Sequence, residues 1–200
     1  MRVTVLDYGA GNLHSLAKAL AMPGVDVRVE PDPSAALETD VLVLPGVGAF
    51  GAAAERLAPE RAALREAVDR GLPCLGVCLG MQLLFESSEE GPGEGLGLFR
   101  GTVTRLRAHR VPQIGWNTLE ERRDALFERS GLATAYYANG YACRPRDESC
   151  VIGWSTHGED RFAAAVRKGS VLGVQFHPEK SSRAGVAFVR AFLKECSPCA

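Results

Sequence analysis

Leu72–Glu90 reads LPCLGVCLGMQLLFESSEE. Leu75-Gly76-Val77 is apolar and short, as a buried strand is, while Met81, Leu83, Leu84 and Phe85 suit a helix better. Cys78 stands at the junction, with Gly76 two residues before it and Gly80 two after. That is the G-x-nucleophile-x-G spacing of a sharp strand-to-helix turn, in which glycine lets neighbouring backbone come close. A thiol at the first turn of a helix feels the positive end of the helix dipole, which favours thiolate. A small buried hydrophobe fits the same position, and the turn alone does not choose between them. A base is required elsewhere in the chain.

Outward from this stretch, the first half alternates. Arg2 to Asp7 is β-rich, and Leu13, Leu16, Ala17 and Leu20 recur at helical spacing, with Asn12 as the cap. Val25, Val27 and Val29 alternate as a strand, and Pro33 to Glu38 reads as a short helix. Val41-Leu42-Val43-Leu44 is apolar throughout, as a strand buried on both faces is. Pro59 to Arg70 reads as a helix closed by Gly71. Strands alternating with helices predict an α/β fold, a mostly parallel sheet with helices on both faces. The glycine-rich turns at 9–11, 46–48 and 76–80 then share the carboxyl edge, where such sheets bind ligands. The second half differs. Thr102 to Leu106, Ile114 to Leu119, Ala135 to Ala142, Cys150 to Thr156 and Phe162 to Arg167 read as added antiparallel strands. Val171 to Phe176 is another apolar run. Ala184 to Glu195 closes the chain as a helix, with Val186, Val189, Phe192 and Leu193 on one face.

His177-Pro178-Glu179 follows that apolar run, so it too is expected at the carboxyl edge. Pro178 biases His177 towards extended backbone, and in extended chain residues two apart point to one side. Glu179 then holds one imidazole nitrogen while the other faces Cys78, the arrangement of an activated thiol. A histidine at a strand end beside a solvated glutamate is the plainer reading of H-x-E alone. The cysteine turn in the same chain favours the triad. His14, His109 and His157 read as surface or structural. Pro45-Gly46-Val47-Gly48 is either a strand-ending turn or half of an oxyanion hole, the Val47 amide acting beside that of Leu79.

Charged residues make up 24% of the chain and the formal net charge is −1, so no overall field recruits nucleic acid or an anionic membrane. No apolar stretch reaches the ~18 residues of a membrane span, and the start MRVTVLDYG lacks a signal-peptide core. Six cysteines in 200 residues are too sparse for a disulfide framework. A reduced thiol places the protein in the cytoplasm. Cys196-Ser197-Pro198-Cys199 lacks a second pair with zinc-ligand spacing and reads as a frayed tail. Neither a metal nor a nucleotide cofactor is expected, because no phosphate-binding glycine pattern follows a strand. The length suits one domain, residues 1–200.

These motifs resemble a family. GVCLGMQLLFE at 76–86 and QFHPEKS at 175–181 are similar to class I glutamine amidotransferase domains. Together with DYGAGNL at 7–13, PGVGAF at 45–50 and GWN at 115–117, the chain most resembles the glutaminase subunits of imidazole glycerol phosphate synthase, over essentially its full length. The resemblance implies a flavodoxin-like core and a triad of Cys78, His177 and Glu179. It implies hydrolysis of glutamine to glutamate and ammonia, and a (β/α)8-barrel cyclase partner that receives the ammonia in a heterodimer. It also implies that Gln82 binds substrate glutamine, with Gly46 and Gly48 beside it. Where the family carries a His-Ser pair that holds the substrate α-carboxylate, this chain has Asn139-Gly140, and of these Gly140 offers only backbone. Gln113 likewise replaces a family histidine before Gly115-Trp116-Asn117. Asn12, Trp116 and Lys180 are expected near the partner surface.

Competing readings are a thiol hydrolase or peptidase on a similar fold, an idle subunit that only stabilises a synthase, and the amidotransferase of another pathway. Gln82 and the full motif set oppose the first. The complete Cys78-His177-Glu179 set opposes the second. PGVGAF, in place of a GGES-like stretch, opposes the third.

Overall fold

The computed structural model describes residues 1–9 and 13–197. The chain runs β1 (Arg2–Leu6), α1 (His14–Leu20), β2 (Asp26–Glu30), β3 (Val41–Leu44), α2 (Phe50–Leu57), α3 (Arg61–Asp69), β4 (Cys74–Val77) and α4 (Leu79–Leu83). It continues through β5 (Ser87–Ser88), β6 (Gly101–Arg105), β7 (Gln113–Thr118), α5 (Ala125–Ser130), β8 (Thr134–Asn139) and β9 (Tyr141–Pro145). It ends with β10 (Val151–His157), β11 (Asp160–Lys168), β12 (Val171–Val174) and α6 (Ser182–Cys196).

The main sheet has the order β10-β11-β12-β4-β3-β1-β2. Pairing is parallel from β12 through to β2, and antiparallel where β11 joins β12 and β10 joins β11. Two small sheets, β5-β6-β9 and β7-β8, stand apart from it. The parallel core and the antiparallel additions of the second half are both as the sequence predicts. Each face of the sheet has its own apolar layer. On β3, Val41 and Val43 join the layer under α1, α5 and α6, while Leu42 and Leu44 join the layer under α2, α3 and α4. This accounts for the uninterrupted VLVL run: both faces of the strand are dry. No helix among the described residues is long and apolar enough to cross a membrane.

Several elements depart from the sequence reading. Phe50–Leu57 is a helix that the sequence reading lacks; it buries Phe50, Ala53, Ala54 and Leu57, the i, i+3, i+4, i+7 stripe of one helical face. Ala125–Ser130 is another, opened by the Asp124 side chain accepting from the Leu126 amide and closed by Gly131 at φ 66°. The region 135–142 is two strands, because Gly140 turns the chain from β8 into β9. The stretch 33–38 contributes only one 3-10 turn, Ala35–Leu37, and Ala58–Glu60 is a 3-10 turn ahead of α3. On α6, Phe188 is buried with Val189, Phe192 and Leu193, while Val186 is half-buried. The N-cap of α1 is Leu13; Asn12 lies outside the described residues.

Candidate active site

β4 and β12 lie side by side, with Val174 in register with Val77. Their carboxyl ends therefore deliver Cys78 and the 175–177 segment to the same place. Cys78 has φ 48° and ψ −106°, a left-handed conformation for a residue with a side chain. Such strain costs about 1–3 kcal/mol and persists only where the surroundings impose it. Here they do. A Cβ on Gly76 would lie 2.6 Å from the Gly80 carbonyl oxygen, and one on Gly80 would lie 1.9 Å from that of Leu44. The two flanking glycines thus let α4 sit directly on β4 and β3, and Cys78 takes the bend. Its amide is pinned by the Val174 carbonyl at 2.7 Å.

His177 is extended, at φ −98° and ψ 97°, as the following proline favours. Its amide donates to Tyr136 O at 2.8 Å, and its carbonyl accepts from Ser181 Oγ at 2.7 Å. Ser181 Oγ also accepts from the Tyr136 amide at 2.9 Å, so β8 is stitched to this turn. His177 Nδ1 lies 2.8 Å from Glu179 Oε1. Extended chain does not bring them together: Pro178–Lys180 is a 3-10 turn that folds Glu179 back under the ring. The imidazole lies close to Cys78: a Cβ added at Gly46 would touch both side chains. Burial works against a charge on His177, but its hydrogen bonds and charge interactions with Cys78 and Glu179 outweigh burial and raise its pKa from 6.5 to about 9. Cys74, at the start of the same strand as the Cys78 turn, shows the contrast: burial alone pushes its thiol up to about 12. The second carboxylate oxygen of Glu179, Oε2, is buried without a hydrogen-bond partner among the described residues.

A cavity of about 230 Å³ opens over Cys78. Gly46, Val47 and Gly48 form one side, Leu79 and Gln82 the floor beside the thiol, and Asn139, Gly140 and Tyr141 the facing side. A Cβ on Gly46 would lie 3.1 Å from Cys78 Cβ and 3.2 Å from His177 Cε1, so only a glycine lets this turn come so near both. Two remote groups hold it. The Tyr8 hydroxyl donates to Pro45 O, and Glu90 Oε2 accepts from the Phe50 amide at 2.8 Å, capping α2. The DYG, PGVGAF and FESSEE segments are thereby one physical unit. A larger cavity of about 830 Å³ runs along α6, but neither Cys78 nor His177 borders it.

Tyr141 O accepts from Asn139 Nδ2 at 3.0 Å and from Gln82 Nε2 at 3.3 Å. Asn139 thus turns an amide hydrogen away to the backbone, and its Oδ1 is buried with no hydrogen-bond partner among the described residues. Gln175, buried at the end of β12, is absent from the residues that the sequence singles out. A neutral amide inside an apolar run carries no local signal, yet it reaches both Gln82 and the thiol. Trp116, Tyr136 and Lys180 form one patch beside His177, with the Trp116 and Tyr136 rings edge-on at 6.3 Å and Lys180 Nζ 5.8 Å from the Tyr136 ring. Ile114 and Trp116 expose 69% and 56% of their surface, an unusual apolar exposure. Among the described residues no three His, Cys, Asp or Glu side chains cluster as a metal site requires.

Residues 4–196 match the family model described as glutamine amidotransferase class-I. The chain is 46% identical over 193 residues to the imidazole glycerol phosphate synthase subunit HisH of Symbiobacterium thermophilum, covering 92% of this chain and 90% of that one. It is 41% identical to the subunit of the same name from Pyrococcus furiosus, covering 96% and 98%, and 46% identical to that of a strain of Thermus thermophilus, covering 94% of each. Among solved structures, a glutamine amidotransferase superposes with a TM-score of 0.75 at 21% identity, covering 97% of this chain and 98% of that one. PurLQS from Thermotoga maritima superposes with a TM-score of 0.72 at 19% identity, covering 98% and 99%. The structural likenesses show the shared fold; the full-length sequence matches show that the chain belongs to the class-I glutamine amidotransferase family, among its HisH subunits.

Proposed function

We propose that residues 1–200 form one glutaminase domain that hydrolyses glutamine by a Cys78-His177-Glu179 triad and passes the ammonia to a cyclase subunit in histidine biosynthesis. The observation that carries this is the strained Cys78 under the His177 imidazole, itself held at 2.8 Å by Glu179. A cavity of about 230 Å³ suits the side chain of one amino acid better than a peptide.

The chemistry is acyl transfer. The Cys78 thiolate attacks the side-chain amide carbonyl, forming a C–S bond. The Val47 and Leu79 amides stabilise the oxyanion, each such donor being typically worth ~2.7–4 kcal/mol. The C–N bond breaks as His177 gives its proton to the departing ammonia. His177 then takes a proton from water, which cleaves the thioester and releases glutamate and the free thiol. Glu179 orients the ring throughout and stabilises its charged form. Gln82 lies beside the thiol, where it contacts the substrate's amino-acid end, and Gly46 and Gly48 let the turn approach it.

Ammonia protonates in bulk water and loses its nucleophilicity, which is a reason to dock the site on its consumer. The exposed Trp116, with Lys180, marks the docking surface for a (β/α)8-barrel partner, because aromatic anchors are enriched in interfaces. The complex belongs in the cytoplasm, where the thiol stays reduced. Glutamate release by the purified chain, alone and with the cyclase subunit and its ligand, tests the assignment. Cys78→Ala abolishes turnover in both settings; turnover retained by pure variant protein sinks it.

A further inference from the structure

We infer that Gln175 is a further residue of the reactive centre, a hydrogen-bond donor that holds the Cys78 sulfur in its anionic form. Gln175 Nε2 lies 3.5 Å from Cys78 Sγ, and both side chains are buried. Which end of the amide faces the sulfur is decided by a chain of contacts that begins at a carbonyl. Tyr141 O can only accept, so the group of Gln82 that meets it at 3.3 Å is the amide nitrogen. The same Gln82 nitrogen lies 3.3 Å from Gln175, which must therefore present its oxygen there. The nitrogen of Gln175 is left facing Cys78. Reversing Gln175 would set two NH2 groups against each other and a carbonyl oxygen against the sulfur.

The backbones fix the spacing. Cys78 N donates to Val174 O at 2.7 Å and Gln175 N to Ala164 O at 2.9 Å. The sulfur thus receives a donor from Gln175 as well as its contact with the imidazole. A thiol is a weak acceptor, whereas a thiolate makes the stronger charge-assisted bond. The arrangement is built for the anion, which exists before the C–S bond forms and again as water cleaves the thioester. At both points Gln175 is a donor that steadies the sulfur.

This rests on Cys78 being the nucleophile, and the test separates the two claims. Carboxamidomethylation of the Cys78 peptide by iodoacetamide is followed by mass spectrometry from pH 5 to pH 10 in the full chain, with thermal melts of each variant. In Gln175→Met, which keeps the volume but has no donor, the alkylation midpoint rises by roughly one to two pH units, and the rate below the midpoint falls about tenfold or more. Gln175→Glu, which sets a carboxylate against the sulfur, moves it further in the same direction. Gln82→Met, which frees the orientation of Gln175 without removing it, gives a smaller rise and keeps the question answerable if the Gln175 variants do not fold. Folded variants with an unmoved midpoint and only a lower melting temperature make Gln175 a packing residue and overturn the inference, leaving the nucleophile intact. A wild-type Cys78 alkylated no faster than Cys150, whose thiol burial raises to about 11, overturns both.

Discussion

On the sheet side of the cavity, a Cβ at Gly80 would meet Leu44 O at 1.9 Å and one at Gly46 would meet Val77 O at 2.9 Å; on the facing side, one at Gly140 would meet only Val111 Cγ1 at 3.7 Å and Pro112 Cβ at 3.9 Å. The first wall is made of backbone in contact with backbone, so its residues follow from steric exclusion. The second is a bend between β8 and β9 with ordinary van der Waals room around it. It is tied by the Tyr141 carbonyl, which accepts from Gln82 and Asn139. Cys78 stands on the tightly packed wall, with Gln82 one turn further along α4. Asn139 and Gly140 stand on the roomier one.

The sharpest way to break this contrast is Gly80→Ala. Because the clash is with backbone, α4 must lift off the sheet, and we expect a loss of about 4 kcal/mol or more, or no folded protein, by urea titration. A neutral outcome would mean the reactive wall is as yielding as the other. Next comes the charge on that wall. The His177 pKa of about 9 exceeds its ordinary 6.5, so the folded state prefers the protonated ring. That stabilisation is complete below about pH 6.5 and disappears as pH rises through 9, on the order of 3 kcal/mol in all. His177→Asn, which titrates no ring, loses this fall, and the difference between the two melting-temperature profiles measures it.

A smaller effect concerns the bend itself. At φ 48°, Cys78→Gly is more stable than Cys78→Ala by about 1 kcal/mol, because only glycine is relaxed there; equal stabilities would show that the turn stores no strain. The smallest expected change lies across the cavity. Gly140→Ser fits without a clash and alters stability by less than about 0.5 kcal/mol, while adding a hydroxyl to the bend beside the cavity. We expect a lower KM for glutamine with kcat little changed in steady-state assays. A severe loss of stability instead would put this wall in the same class as the first.

The legibility of the sequence follows the same division. VLVL at 41–44 and the G-x-C-x-G turn state their positions openly, since double burial and close approach leave few residue choices. His177 and Glu179 announce themselves by type. The helix Phe50–Leu57 escapes a sequence reading because the glycine-rich turn runs straight into it and its cap, Glu90, is remote in the chain. The α5 signals, Asp124 and Gly131, are present but short. The contacts of Gln175 and of the Tyr141 carbonyl cannot be read locally: they are distances to Cys78 and to Gln82 of α4, remote in the chain.

The placement of β12 has a consequence for how the protein is made. Cys78 and Gln175 are 97 residues apart in the chain, and β12 inserts between β4 and β11. A nascent chain released only as far as β11 carries Cys78 at an open sheet edge, with no imidazole, carboxylate or glutamine amide to offer its sulfur. Incomplete translation products therefore lack every side-chain partner that the 175–179 segment brings to this thiol, and are prone to pair through that edge. Synthesis from the amino end delivers the scaffold first and arms it with the final segment.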